Sequence, residues 1–280
     1  MTSSPLIKDQ FRNYLGVFIL SAASGLTAAV WVLVSVTDAN NGTENDQNLN
    51  PPGKPKSGLF AALREIFDLA NLNTMAKTIV RKRVNGTRLH LWQMMASVLI
   101  VVFTIHGETA ISFQFVQRAY HWDAAYFSDV KSITSILPTF GSAFLPIILM
   151  RLFDLKDLKI GILGAISSVL AFIIKGGFMI PVAFYASETI SVASGLLQLA
   201  LRSLLTRIVE PNEVGQLFTM LTSLEAINPI LSSLFYSQVF NATINSYPGF
   251  IYHMVALMTM YPLVLFTYLD LTAKRWLQSA

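Results

Sequence analysis

Long apolar stretches divide this chain at intervals that are typical of a membrane protein. Six of them follow one another between Leu89 and Asp270, and a seventh stands apart behind a polar segment of about fifty residues. A membrane-spanning helix needs roughly 20 apolar residues, a requirement that a soluble core helix does not have. We therefore predict an all-α integral membrane protein with seven transmembrane helices. The predicted spans are Tyr14–Val36, Leu91–Val116, Tyr126–Met150, Ile160–Ile180, Phe184–Arg207, Val214–Phe240 and Gly249–Leu269.

The composition argues against other classes of protein. Hydrophobic residues make up 53% of the chain and charged residues only 13%, about half of the roughly 25% that is usual in globular domains. The basic residues lie mostly between the spans, so we expect a lipid bilayer around the chain and no nucleic acid partner. The chain has no cysteine and no phosphate-binding glycine loop, HExxH or GxSxG motif. We therefore expect neither an enzyme nor a resident metal.

The positions of lysine and arginine predict the orientation of the chain. Fifteen of these residues fall on one side of the membrane and four on the other. Cytoplasmic loops carry an excess of basic residues, so the side with fifteen is predicted to be the cytoplasm. The N-terminus is therefore predicted outside, with the long loop and the C-terminus in the cytoplasm. The sequon at Asn241 then lies in an outward loop, where it is a candidate glycosylation site. Lys131 lies within a span, and the four basic residues on the predicted outer side are Lys8, Arg12, Arg118 and Lys175.

The spacing of the spans also divides the chain into four segments. Residues 1–36 form an outer segment with the isolated span, and residues 37–88 form a cytoplasmic linker. Residues 89–270 form a six-helix bundle, and residues 271–280 form a cytoplasmic tail. Apolar residues alternate with charges from Leu59 to Ile79, which predicts an amphipathic helix in the linker, either on the inner leaflet or without a lipid role. The odd count suggests one complete bundle preceded by the last helix of another.

Ionisable residues inside the spans are the candidate functional residues, because each costs at least about 2.5–3.5 kcal/mol at the bilayer centre on insertion scales. In the second span, Gly107 separates His106 from Glu108. Histidine changes its charge between about pH 5 and 8, so His106 is a candidate proton carrier; the alternative is a neutral histidine hydrogen-bonded to a neighbouring helix. The side chains of His106 and Glu108 point about 200° apart on a regular helix, so both line one cavity only if the helix breaks.

Arg202 and Glu225 lie in the fifth and sixth spans. Arg202 follows Gln198 by one helical turn, and its guanidinium suits a solute carboxylate, a neighbouring acid or the inner headgroups. Glu225 precedes Pro229, and a proline frees backbone carbonyls near a solute pathway; the alternative is structural hydrogen bonding between helices. Arg202, Gln198 and Glu225 are therefore candidate substrate-binding residues. Asp129 and Lys131, near the outer end of the third span, are expected at gates or helix interfaces, and Glu188 is a further ionisable residue inside the fifth span.

The run ALRSLLTRIVEPNEVGQLF, Ala200–Phe218, joins the fifth and sixth spans. It resembles the junction between the tenth and eleventh helices of the proton-coupled folate transporter family, solute carrier family 46 of the major facilitator superfamily, which includes insect members. The resemblance covers Tyr14–Leu269 and implies that the seven spans are helices six to twelve of a twelve-helix transporter. Shorter matches are Phe67–Leu69, Ile105–Glu108, His121–Asp123, Ser223–Ala226 and Phe240–Thr243.

The resemblance implies proton-coupled transport of a small organic anion, folate-like or related, by alternating access, with the proton as coupling ion and no other cofactor. By position it implies proton coupling by His106, with Glu108 beside it, and substrate binding by Arg202. Asp154 falls in a degenerate form of the superfamily's gating loop. This sequence has no counterpart of helices one to five, so we expect an N-terminal bundle or a second copy as a partner. We expect a plasma-membrane or endolysosomal location.

Two other interpretations stay open. A seven-helix receptor fits the number of spans and the predicted topology. The long first cytoplasmic loop, the lack of an Asp-Arg-Tyr-like end to the third span and the absence of cysteine argue against it. The chain also fits a non-transporting truncated isoform of a transporter.

Overall fold

The computed structural model of the chain describes residues 22–23, 25–27, 30, 87–210 and 213–276. The chain divides into two compact units, Met1–Ala62 and Leu63–Ala280. In the first unit the described residues are helical and exposed. The rest of the predicted first span, and the whole predicted amphipathic helix Leu59–Ile79, lie outside the described residues. Everything that follows concerns the second unit.

Six helical segments of the second unit are long and apolar enough to cross a membrane, and the described residues contain no β-strand. This confirms the predicted all-α membrane class and six of the seven spans. The helices in chain order are α1 (Thr87–Tyr120), α2 (Ala124–Thr134), α3 (Ile136–Phe153), α4 (Asp157–Gly177), α5 (Pro181–Ile190), α6 (Gly195–Ile208), α7 (Val214–Thr243) and α8 (Phe250–Trp276).

Two of the six segments are interrupted near their middle. The second segment breaks between α2 and α3 at Ser135, because Pro138 has no N–H to donate to the carbonyl four residues earlier. The fourth segment breaks between α5 and α6 at a 3-10 turn, Ser191–Ala193. There the Ser191 hydroxyl donates a hydrogen bond of 2.8 Å to the Glu188 carbonyl and competes with the helical pattern. Around Pro229, where the sequence suggested freed carbonyls, α7 remains α-helical.

Small residues let the two interrupted segments approach each other closely. A Cβ atom at Gly141 of α3 would collide with the backbone carbonyl of Val192 in the 3-10 turn. A Cβ atom at Gly195, the first residue of α6, would lie 2.7 Å from Ser142. Glycine allows backbones in a membrane to pack at this distance, so these positions hold the two breaks side by side.

Two large hydrophobic cores lie at opposite ends of the helices, and a smaller cluster surrounds Ile160 and Leu196. The aliphatic core lies towards the predicted cytoplasmic end, and the aromatic core lies towards the predicted outer end. The most extensive helix contacts are those of α4 with α8 and of α1 with α7. Leucines that include Leu91, Leu197, Leu201, Leu217 and Leu269 dominate the aliphatic core. The aromatic core includes Phe115, Tyr120, Trp122, Phe184, Tyr236, Phe240 and Tyr252.

Candidate functional site

Four charged side chains from four helices form one continuous series of ion pairs at the aromatic end of the bundle. Lys175 Nζ, on α4, donates to Oε1 of Glu108 on α1 at 2.7 Å and to Oε1 of Glu188 on α5 at 3.2 Å. The same Glu188 oxygen accepts a second hydrogen bond, from Lys131 Nζ on α2, at 3.0 Å. The order Glu108, Lys175, Glu188, Lys131 therefore alternates in sign. We call these four residues the charge network.

Lys175 is the most deeply buried member of the charge network. Its side chain is 4% exposed. The ammonium lies 4.6 Å from the centroid of the Phe184 ring and 5.0 Å from that of Tyr252, so two aromatic faces add to the two carboxylates. An ammonium ion with no partner would be costly to bury, and these four neighbours explain how a lysine occupies the interior.

Lys131 forms the open end of the charge network. Its side chain is 36% exposed. Glu188 is its carboxylate partner, and no second acid pairs with it among the residues that the structure describes. The Phe184 ring lies 6.0 Å from its ammonium, farther than it lies from Lys175. Of the three N–H donors of each ammonium, Lys131 therefore uses one in the network, whereas Lys175 uses two.

A cavity of about 270 Å³ opens beside the charge network. All four network residues line it, and so do residues at both helix breaks, which bring hydroxyl groups to its wall. Irregular backbone inside a membrane is tolerated where it lines a cavity, and broken helices surround the solute sites of many carriers. The other lining residues are Ile105, Ser135, Pro138, Thr139, Ser168, Ala171, Phe172, Ser187, Ser191 and Ser194.

The structure separates the two residues predicted for proton coupling. Helix α1 is continuous through Gly107, so Glu108 faces Lys175 whereas His106 is exposed and makes no hydrogen bond to another described residue. Gly107 serves another purpose: a Cβ atom there would overlap the ring of Tyr236 on α7. The helix therefore does not break at Gly107. The absence of a side chain there leaves room for the Tyr236 ring of α7.

The three predicted substrate-binding residues lie nearer the aliphatic end. Arg202 Nη2 donates to both carboxylate oxygens of Glu225, at 2.8 and 2.9 Å, so the pair joins α6 to α7. Arg202 thus has a neighbouring acid, one of the three partners that its chemistry suggested. Gln198, one turn away on α6, lines a separate cavity of about 110 Å³ that also contacts Ile105, Ser168 and Phe172.

Asp154, the residue predicted for the gating loop, does not make the charged contact at the cytoplasmic end; Asp157, three residues later, makes it. Asp154 is exposed and ends α3 with a left-handed backbone, φ 48°. Asp157, at the start of α4, is buried, and its Oδ2 accepts from Ser203 Oγ at 2.8 Å and pairs with Arg207 Nη2 at 2.7 Å. Asp157 therefore makes the contact between this loop and α6, and the gating role of Asp154 stays a prediction.

The candidate glycosylation site lies in a helix rather than in a loop. Asn241 and Thr243 occupy the last turn of α7, because the helix continues beyond the predicted end of that span at Phe240. Asn241 is exposed, and it lines a polar surface pocket with Arg118 and His121. Its modification stays a prediction.

Lys175 is the network residue that the sequence analysis missed. It lies near the end of an apolar span and therefore counted as one of four outer basic residues. A usable signal was present, because Lys131, Lys175, Glu108 and Glu188 fall at similar depths of four neighbouring spans and their charges cancel. Matching opposite charges by depth across spans would have brought them together.

Interrupted spans and paired charges beside a cavity define a multi-pass helical membrane protein with a charged internal site. No protein-family model matches the chain. Over 181 residues it is 23% identical to the probable peptidoglycan muropeptide transporter SLC46 of Drosophila melanogaster, covering 64% of this chain and 35% of that protein. Over 217 residues it is 24% identical to the lysosomal proton-coupled steroid conjugate and bile acid symporter SLC46A3 of Mus musculus, covering 77% and 46%.

The similarity extends to a second mammalian relative. The SLC46A3 symporter of Rattus norvegicus is 27% identical over 150 residues, which cover 51% of this chain and 30% of that protein. These relatives are members of solute carrier family 46, which confirms the resemblance seen in the sequence motifs. The chain spans less than half the length of the curated relatives that it matches.

Proposed function

We propose that this chain contributes the solute-binding bundle of a proton-coupled carrier that moves a small organic solute across a membrane by alternating access. The observation that carries the proposal is the charge network beside the cavity, where Lys175 and Lys131 hold Glu108 and Glu188 in place. Ionisable groups inside membrane spans are costly and mark ion or proton pathways. The proposed activity moves a solute and changes no covalent bond.

The geometry suits coupling because the network joins α1, α2, α4 and α5. Protonation of Glu188 would remove the charge that holds both Lys131 and Lys175, at 3.0 and 3.2 Å. Two inter-helix ion pairs would then weaken together, and the helices at both breaks would be released from each other. A proton thereby changes the relative stability of two arrangements of the same helices, which is the requirement for a coupled carrier.

The relatives guide the choice of solute and membrane. Their names give muropeptides in one case and steroid conjugates and bile acids in the other. We therefore propose an organic solute of these classes as the first to test, ahead of a folate-like anion. An endolysosomal membrane is proposed on the name of the mouse relative, and the plasma membrane is the alternative. An N-terminal bundle or a second copy of this chain would supply the opposite wall of the pathway.

Uptake into proteoliposomes tests the proposal. A labelled bile acid and a labelled muropeptide are each presented at pH 5.5 outside and pH 7.5 inside, with and without a protonophore. We expect uptake that the protonophore abolishes, and we expect Glu188→Gln to lose this dependence, because glutamine cannot take up the coupled proton. Glu210→Gln, at an exposed position of the α6–α7 loop, is the matched control and should behave as wild type. Uptake that ignores the proton gradient would contradict the proposal.

A further inference from the structure

We propose that Lys131 binds the anionic group of the solute in exchange for Glu188, and that one proton enters the charge network with each anion. This inference rests on the proposed function and adds to it the solute's charge, a binding residue and a stoichiometry. It assigns the role to the open end of the network, which no sequence motif indicated.

Lys131 is the network cation that a solute can reach. Its ammonium lines the cavity, is partly exposed and has one carboxylate partner among the described residues. Lys175 is enclosed by Glu108, Glu188 and two aromatic rings, so an incoming anion would have to displace both acids. A carboxylate that approaches Lys131 displaces only one hydrogen bond, the one to Glu188 Oε1.

The charge balance explains why a proton accompanies the anion. The two lysines and two glutamates of the network sum to zero, and a bound monoanion leaves the site with one negative charge. Taking a proton from water restores neutrality, and Glu188 accepts it because that carboxylate has just lost Lys131. The groups that face the network from the helices around it are tyrosines, which bring no further charge when protonated: Tyr120 on α1, Tyr236 on α7 and Tyr252 on α8.

The cavity wall selects solutes that carry hydrogen-bond donors. The hydroxyls of Ser135, Thr139, Ser187 and Ser191 each donate to a carbonyl of their own helical segment, at 2.7–3.0 Å. Their protons are therefore used, and their oxygen lone pairs face the cavity as acceptors. Ile105 and Phe172 add apolar surface. The fitting solute class is an amphiphilic organic monoanion with hydroxyl or amide donors.

Isothermal titration of the chain in nanodiscs tests this proposal, with cholate as the anion and its uncharged primary amide as the matched neutral probe. Cholate carries one carboxylate and three hydroxyls; empty nanodiscs correct for partition into lipid. Titrations at one pH in two buffers of different ionisation enthalpy give the protons taken up per ligand. We expect about one proton per cholate and none with the amide.

Variants separate the role of Lys131 from general damage. Lys131→Met should weaken cholate binding about tenfold or more and leave amide binding unchanged, because it removes one charge-assisted contact. Lys131→Arg should keep most of the affinity, and Lys159→Met, at an exposed position of α4, should match wild type. Melting temperatures show that each variant is folded.

The outcomes distinguish this inference from the proposed function. Equal loss of cholate and amide binding in Lys131→Met, or unchanged binding of both, would overturn the anion role of Lys131 while proton-dependent uptake stands. Cholate binding with no proton uptake would overturn the stoichiometry. A wild-type chain that binds no cholate in nanodiscs and takes up no solute in proteoliposomes would overturn both proposals.

Discussion

The charge network and the Arg202–Glu225 pair are two intramembrane ion-pair sites built differently. The network joins four helices at the aromatic end, and its central cation, Lys175, is 4% exposed. The pair joins two helices nearer the aliphatic end, and Arg202 is 35% exposed. Lys175 has two acids and two aromatic rings around it, whereas Arg202 has one acid that occupies one of its three nitrogens.

A membrane bundle can thus divide structural and functional tasks between its charges. A buried cation with two carboxylate partners, such as Lys175, holds helices together, because separation of those helices leaves carboxylates unpaired in a medium of low dielectric constant. A partly exposed cation with unused donors, such as Arg202 or Lys131, is free to exchange partners with a solute. The comparison therefore predicts large stability effects at Lys175, large binding effects at Lys131 and small stability effects at Arg202.

Lys175→Met is expected to have the largest effect on stability. It leaves Glu108 and Glu188 facing each other without their shared cation, so we expect a loss of about 3–5 kcal/mol in the free energy of unfolding. The measurement is denaturant-induced unfolding in detergent micelles, with Lys159→Met as the matched exposed control. Adding Glu108→Gln to Lys175→Met should recover part of the loss. A Lys175→Met protein as stable as wild type would remove the contrast between the two sites.

Gly107→Ala tests whether α1 is held against α7 at the level of the network. The new methyl group would overlap the Tyr236 ring, so we expect a loss of about 1–3 kcal/mol in the free energy of unfolding. Gly215→Ala is the matched control, because a Cβ atom at Gly215 in the first turn of α7 meets nothing within 4 Å. Equal stability of the two variants would contradict the close contact between Gly107 and Tyr236.

Arg202→Lys sharpens the comparison at the other site. Lysine keeps the positive charge and one contact to Glu225, and the pair is partly exposed, so we expect a stability change below about 1 kcal/mol. The sequence prediction of substrate binding by Arg202 implies an affinity loss of about tenfold, whereas binding of the anion by Lys131 implies an unchanged affinity. Binding titrations check this, with Arg151→Lys at an exposed position of α3 as the control. An unchanged affinity would leave Arg202 as a structural partner of Glu225.

His106→Ala should have the smallest effect on stability. The side chain is exposed and has no hydrogen-bond partner among the described residues, so we expect a change within about 0.5 kcal/mol. The family resemblance predicts that this variant loses the pH dependence of uptake, whereas the position of His106 outside the network predicts that it keeps it. Uptake at pH 5.5 and 7.5 decides between the two. Loss of the pH dependence would return proton coupling to His106.

The sequence predicted the membrane class and six spans well, because apolar runs of roughly 20 residues form membrane-spanning α-helices. It predicted the ends of the helices and the positions of breaks less well. Pro229 looked like the site of distortion, yet the breaks lie at Ser135 and at Ser191–Ala193. A proline's effect depends on how neighbouring helices satisfy the freed carbonyl, and that information is tertiary.

The sequence identified some charged residues inside the spans as candidate site residues, but it did not identify Lys175. Arg202 and Glu225 stood out because Arg202 follows Gln198 by one helical turn and Glu225 precedes Pro229 in the next span. Lys175 did not, since a lysine near the end of a span usually reaches the interface. Its burial follows from Phe184, Tyr252 and two carboxylates on three other helices. Contacts between distant spans are not encoded in the local pattern of any one of them.

We would measure solute-driven proton movement in wild type and in Glu188→Gln, because this comparison tests whether Glu188 takes up the coupled proton. Glutamine has the shape of a protonated glutamate but takes up no proton. With a pH-sensitive dye inside proteoliposomes, we expect addition of solute to acidify the interior for wild type and for Glu210→Gln. For Glu188→Gln we expect solute uptake without acidification. Acidification of equal size in Glu188→Gln would contradict a coupling role for the charge network.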